Sequence, residues 1–309
     1  MIAIYAFLIL LLFYLLTGYI VLRMVSLRNK TDEPDLSMVE GKPYEPYAEG
    51  LRRAYRDVLQ MEKKPLRVVS YDGKVLAGDL IECENAKGTI VLFHGYRSCG
   101  AMDFGVGVPF YRSLGYNLLI VDQRSHGKSE GRWITFGVKE RYDVLSWVTY
   151  LGQMLGQEHP VFLGGISMGA ATVLMASCFD FPANVRGVIA DCGYTTPYEM
   201  IKSFIRQRYP KLPAPLVLSA LNTVSSVVAG FPLRGASALD AAAEAKCPVL
   251  IFHGEADDVV PFEMAKRLLA ACGKNGRLIA VKGAYHGQSY LIETARVQQT
   301  LADFLEENR

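Results

Sequence analysis

Residues 1–22, MIAIYAFLILLLFYLLTGYIVL, contain no charged side chain. Apolar on every face, a helix of this length covers the roughly 30 Å hydrocarbon core of a bilayer with all its backbone groups satisfied internally. The segment lacks the basic n-region, the short apolar run and the small-x-small cleavage site of a signal peptide. It is therefore expected to be a single membrane-spanning anchor. The next stretch, 28–43 (RNKTDEPDLSMVEGKP), is polar with two prolines and reads as a linker. Between 44 and 64 the apolar positions Tyr47, Leu51, Tyr55, Val58 and Leu59 fall on one helical face. Residues 23–65 thus form a linker and an amphipathic helix, packed on the following domain or on the membrane surface.

From residue 66 to 309 the pattern alternates between short apolar runs and helical periods. Arg67–Tyr71 and Val75–Glu82 flank Asp72-Gly73 and predict a hairpin. Strands are expected at Thr89–Phe93, Asn117–Val121, Val161–Gly165, Gly187–Ala190, Val249–His253 and Leu278–Val281. Helices are expected at Phe104–Leu114, Val138–Leu155, Ala170–Cys178, Pro261–Ala271 and Ser289–Leu305. Such alternation predicts an α/β domain, with a mostly parallel eight-stranded sheet covered by helices on both faces and an antiparallel edge from the hairpin. The stretch of about 194–246 breaks the rhythm with two helical segments, Tyr198–Arg208 and Leu216–Val228, separated by Pro210, Pro213 and Pro215. An insertion of this size beside the strand ends reads as a lid.

Composition narrows the class. Half of the 309 residues are hydrophobic and 21% are charged, which suits a folded chain with a large core. The net charge of +2 and the lack of a basic stripe or zinc-finger spacing argue against nucleic acid as a partner. The six cysteines are scattered, with no C-x-x-C pair, as in a reducing compartment. No Lys or Arg precedes the anchor, whereas Arg23, Arg28 and Lys30 follow it. The positive-inside rule then places the bulk of the chain in the cytoplasm.

The chemistry concentrates at Gly164-Gly165-Ile166-Ser167-Met168-Gly169-Ala170, between a predicted strand and a predicted helix. This is the context of a G-x-S-x-G nucleophile elbow, in which glycines let strand and helix close tightly and Ser167 stands above the sheet edge. The Met168 N–H, at the start of the helix, is placed to stabilise an oxyanion. At the end of an earlier strand, Phe93-His94-Gly95-Tyr96 offers the Tyr96 N–H as the second donor. Serine, then acid, then histidine is the expected chain order. Only His253 and His286 follow Ser167. His286, in the loop after the last strand, is assigned as general base, and His253 as structural. The acid is sought in His253-Gly254-Glu255-Ala256-Asp257-Asp258. Asp257 is preferred, with Asp258 and Asp191 as alternatives. The block Asp122-Gln123-Arg124-Ser125-His126-Gly127-Lys128-Ser129-Glu130-Gly131 mixes charges of both signs with glycines and reads as a scaffolding loop held by ion pairs.

With HGY, DQRSHGKSEG, GISMG and HGEADDVVP in this order, the chain from about residue 66 onward resembles the α/β-hydrolase superfamily. Within it, the segments resemble membrane-anchored and cytosolic bacterial serine hydrolases grouped with peptidase S9-like and BEM46-like proteins. The resemblance implies a Ser167–Asp257–His286 triad, a two-amide oxyanion hole and no cofactor or metal. The expected activity is hydrolysis of a small-molecule or lipid ester through an acyl-enzyme. Amide or peptide cleavage, acyl transfer and a non-catalytic, membrane-tethered binding role are the alternatives.

Overall fold

The computed structural model describes residues 1–28, 43–181 and 184–309. Most of the expected linker, including Lys30, lies outside the described residues. Helix α1 covers Ile2–Ser26, so the apolar helix runs one turn beyond residue 22. Helix α2 covers Ala48–Gln60 after a 3₁₀ turn at Glu45–Tyr47. The predicted hairpin is formed by β1 (Lys64–Val69) and β2 (Val75–Ile81), paired antiparallel. There follow β3 (Gly88–Phe93), α3 (Gly100–Phe104), α4 (Val108–Ser113), β4 (Tyr116–Asp122), α5 (Glu140–Leu155), β5 (Val161–Ile166), α6 (Met168–Ala176) and β6 (Val185–Asp191). The insertion contributes α7 (Pro197–Arg208), α8 (Ala214–Val224) with a π-helical turn at Ser225–Ala229, and α9 (Ala238–Ala243). The chain closes with β7 (Val249–Gly254), α10 (Phe262–Cys272), β8 (Gly276–Val281), α11 (Ser289–Ile292) and α12 (Thr294–Glu307).

The eight strands form one sheet in the order β1-β2-β4-β3-β5-β6-β7-β8. β2 runs antiparallel to both β1 and β4, and every pair from β4 to β8 is parallel. Alternate residues of the central strands feed two cores. Val91, Phe93, Leu119, Val121 and Leu163 face one, with Trp147 of α5 and Val173 of α6. Ile90, Leu92, Leu118, Ile120 and Phe162 face the other, with Phe104, Tyr111 and Phe304. A period of two on a sheet covered on both sides explains why these strands read as unbroken apolar runs.

Two expected helices differ from the prediction. The helix expected over 104–114 is two short helices, with Gly105 and Gly107 between them. An added Cβ on Gly105 would stand 2.5 Å from the Ala101 carbonyl oxygen and 3.1 Å from the Ala54 carbonyl carbon of α2. The final helix is divided at Glu293, whose φ of −115° and ψ of 50° leave the helical region. α9 has only six residues and gives no readable period; the Ser237 side chain caps it by accepting from the Asp240 N–H.

Candidate active site

Parallel strands all end on one side of the sheet, and the loops there carry the candidate residues. β5 leads through Ser167 directly into α6. Ser167 has φ 54° and ψ −113°, a sparsely populated conformation for a residue with a side chain. The turn is held because the residues two places to either side of Ser167 have no side chains. An added Cβ on Gly165 would lie 2.3 Å from the Gly169 carbonyl, and one on Gly169 would lie 1.8 Å from the Phe93 oxygen. Strand, helix and the end of β3 therefore touch backbone to backbone.

The loop after β8 carries His286 across to this turn. The Ser167 hydroxyl lies 2.8 Å from His286 Nε2, and His286 Nδ1 lies 2.8 Å from Asp257 Oδ2. With Nδ1 donating to the carboxylate, Nε2 is left as the acceptor for the Ser167 proton. Asp257 Oδ1 accepts from the N–H groups of Val259 at 2.9 Å and Val260 at 2.8 Å, which fixes the acid on its own loop. The other proposed acids go elsewhere. Asp258 is exposed, and Asp191 Oδ1 accepts from Ser289 Oγ at 2.8 Å. Neither the Tyr96 nor the Met168 N–H donates to any group among the described residues; Met168 follows Ser167 directly, and an added Cβ on Gly95, ahead of Tyr96, would stand 3.5 Å from Ser167 Cβ. Three of the residues selected from the sequence, Ser167, His286 and Asp257, thus form one hydrogen-bonded chain. Such an arrangement can transfer a proton from a hydroxyl to an imidazole.

Comparison with known proteins agrees with this geometry. The family described as alpha/beta hydrolase fold matches residues 88–237, and the one described as serine aminopeptidase, S33, matches residues 214–290. The chain belongs to the α/β-hydrolase superfamily. This α/β-hydrolase is 27% identical over 250 residues to the uncharacterized protein YqkD of Bacillus subtilis, covering 80% of each chain. It is 29% identical over 204 residues to the lysophosphatidylserine lipase ABHD12 of Danio rerio, covering 62% of this chain and 51% of that one. It thus spans about half the length of that relative. An esterase structure from Pyrococcus furiosus superposes with a TM-score of 0.65 at 22% identity, over 81% of this chain and 93% of the other, a likeness of fold.

Further residues shape the hydrolase site, and of these Asp103, Tyr44 and Gln288 lie in no motif of the sequence. The Gly95 N–H donates to Asp103 Oδ2 at 2.6 Å, and Ser98 Oγ donates to Asp103 Oδ1 at 2.5 Å. Asp103, on α3, thereby fixes the loop that presents Tyr96. Gln123 clamps the same loop from the other side, its side-chain amide donating to the His94 carbonyl at 2.5 Å. His94 donates from Nδ1 to the Gly95 carbonyl and accepts the Gln123 N–H at Nε2, as befits a loop-holding histidine. Tyr44, just before α2, donates its hydroxyl to the His286 carbonyl, and Gln288 Nε2 donates to the Pro43 carbonyl at 2.5 Å. The loop bearing the imidazole is thus tied to the segment ahead of the hydrolase core. The 122–131 block is held by Arg124, which is almost fully buried and pairs with Asp143 at 2.5 Å and Asp72 at 3.1 Å.

The electrostatics suit a base. Burial alone would lower the His286 pKa, but the hydrogen bond to Asp257 and the charges of Asp257, Asp191 and Asp258 raise it above the usual 6.5. Burial alone would raise the Asp257 pKa, yet the hydrogen bonds from His253 and His286 hold it well below the usual carboxylate range. His253 lies 3.2 Å from Asp257 Oδ2 while donating to the Val260 carbonyl at 2.9 Å. Burial pushes Asp191 up to about 6, with Ser289 partly offsetting it. Cys192 Sγ, Asp257 and His286 lie within 4.8 Å of one another. Burial and the charges of Asp191 and Asp257 raise the Cys192 thiol well above its usual range, and both imidazole nitrogens are already engaged, so this set is poorly suited to a metal ion.

A pH dependence follows with a definite sign. A general base works only when unprotonated, and a raised pKa keeps His286 protonated to higher pH. The acid limb of kcat/KM is therefore expected to have its midpoint above 6.5. A pH–rate profile checks this; a midpoint at or below 6.5 would contradict His286 as a base in this environment.

Proposed function

We propose that this hydrolase cleaves carboxylic esters with apolar, lipid-like acyl groups by a serine mechanism. The reading is carried by the 2.8 Å contact between Ser167 Oγ on the elbow and His286 Nε2, itself backed by Asp257. In the first half-reaction the Ser167 oxygen attacks the ester carbonyl carbon as His286 takes its proton. The resulting oxyanion is met by the Tyr96 and Met168 N–H groups. Collapse of the intermediate breaks the bond to the alkoxide, which leaves as an alcohol with the proton from His286. Water then attacks the acyl-serine with His286 again as base, releasing the acid and restoring Ser167.

The preference for an apolar acyl group rests on two supports. The chain begins with a helix long and apolar enough to cross a membrane. Its relatives include a lysophosphatidylserine lipase and a thiohydrolase. In this reading α1 is the anchor of a single-pass membrane protein. Residues 66–309 are the catalytic domain, held on the cytoplasmic side by Arg23, Arg28 and Lys30, and residues 194–246 form its lid.

A series of p-nitrophenyl esters of rising chain length, run beside monoacylglycerols and aminoacyl amides, tests the substrate class. kcat/KM is expected to rise with acyl length and to be higher for esters than for amides. Faster turnover of the aminoacyl amides would replace esterase by amidase.

A further inference from the structure

Helix α1 does not stand clear of the domain. From Tyr14 onward, one stripe of it (Tyr14, Gly18, Leu22, Ser26) turns inward, and it packs along α8. The Tyr14 hydroxyl bonds Ser219 Oγ at 2.8 Å and Thr223 Oγ1 at 3.0 Å. An added Cβ on Gly18 would lie 2.4 Å from the Ala220 carbonyl oxygen, so the two backbones touch, as in the small-residue crossings of membrane helices. Leu22 is fully buried.

This docking limits how far α1 can reach. Only residues 2–13 project beyond the contact, about 18 Å at 1.5 Å per residue. The hydrocarbon core measures roughly 30 Å. The helix can cross it only if its docked turns, and α8 beside them, also lie at the depth of the acyl chains.

The surface of α8 fits that position. A lid helix bathed in water would carry charge on its outward face. Here no charged residue occurs from Leu212 to Leu233, a run bracketed by Lys211 and Arg234. Its outward side chains include Leu212, Leu216, Val227 and Val228, with Val227 81% exposed. Ser219 and Thr223, the outward hydroxyls at the contact, are taken up by Tyr14, which is how polar side chains are accommodated in hydrocarbon. The apolar surface continues onto α1 through Leu16 and Ile20.

We propose that α1 and α8 enter the membrane as a pair, with the outward face of α8 in contact with the acyl chains of one leaflet. The lid then opens toward lipid rather than toward water. The proposal rests on α1 being a membrane helix, and the test separates the two.

Full-length variants Ile9→Trp, Leu216→Trp and Val227→Trp would be reconstituted in phosphatidylcholine vesicles with brominated acyl chains. Each is read as the fluorescence lost relative to wild type, which contains only Trp133 and Trp147. Quenching of all three added tryptophans is expected. If only Ile9→Trp were quenched, α1 would be in the bilayer and the lid outside it, and the proposal would fall alone. If Ile9→Trp escaped quenching, the membrane reading itself would fall. A dimer in detergent together with unquenched Leu216→Trp and Val227→Trp would assign the face to a second copy instead. Val227→Lys is expected to lower hydrolysis of a vesicle-borne long-chain ester about tenfold while leaving p-nitrophenyl acetate turnover unchanged. Unchanged turnover of both esters would count against a lipid-facing lid.

Discussion

Replacing Ser167 with alanine is expected to lower ester turnover by about 10⁶-fold and to abolish labelling by a fluorophosphonate. The probe forms its phosphorus–oxygen bond with the hydroxyl that His286 deprotonates, and fluoride leaves. Alanine has no oxygen at that position, and no neighbour takes it over. Cys192, whose sulfur lies 3.8 Å from His286 Nε2, is fully buried, with its thiol held protonated well above the ordinary range. The fold should survive the change, because a methyl group replaces the hydroxymethyl group in the same backbone conformation. Gel-based labelling of the purified variant beside wild type is the measurement. Equal labelling of both would remove Ser167 as the nucleophile.

The second large effect is expected at the acid. Asp257→Asn should lower kcat by about 10⁴-fold, because an amide neither fixes the Nδ1–H tautomer of His286 nor offsets the imidazolium charge. Asn can still accept the N–H groups of Val259 and Val260 through its oxygen, so the loop should keep its shape. Asp258→Asn changes an exposed side chain and should alter kcat about twofold at most. Asp191→Asn neutralises a carboxyl already shifted up to about 6 by burial, whose partner is Ser289 rather than the imidazole, and should have a much smaller effect than the change at Asp257. Steady-state kinetics of the three variants rank them. A larger loss at 258 or 191 would move the role of acid to that residue.

Much of this molecule was legible from local pattern. The parallel strands were visible as short apolar runs because both faces of the sheet are covered, and the elbow was visible because its tight turn requires glycine at 165 and 169. The order of serine, acid and histidine left few residues to choose among. The supporting residues were not legible for the opposite reason. Tyr44 reaches His286 across more than two hundred residues, and Asp103 acts on loop backbone, so no spacing announces them. Composition also hid the docking of α1. From Ile2 to Leu22 that helix carries no charge, so no polar period separates the face on α8 from the face left open. Gly18 and Ser26 were its only sequence traces.

The end of α1 leads directly to the loop that carries Tyr96 and Arg97. Its last carbonyls are received by that loop: the Tyr96 hydroxyl donates to Val25 at 2.7 Å and the Arg97 guanidinium to Met24 at 2.7 Å. The Ser26 carbonyl accepts the Ile134 N–H at 2.7 Å. The end of α1 and the loop of Tyr96 and Arg97 are therefore parts of one hydrogen-bonded corner. Trimming the protein after residue 28 to make it soluble would strip the acceptors from Tyr96 and Arg97 and uncover the seat of Leu22. An excised domain would lack these contacts, and any displacement of the helix end would be carried to the loop of Tyr96 and Arg97.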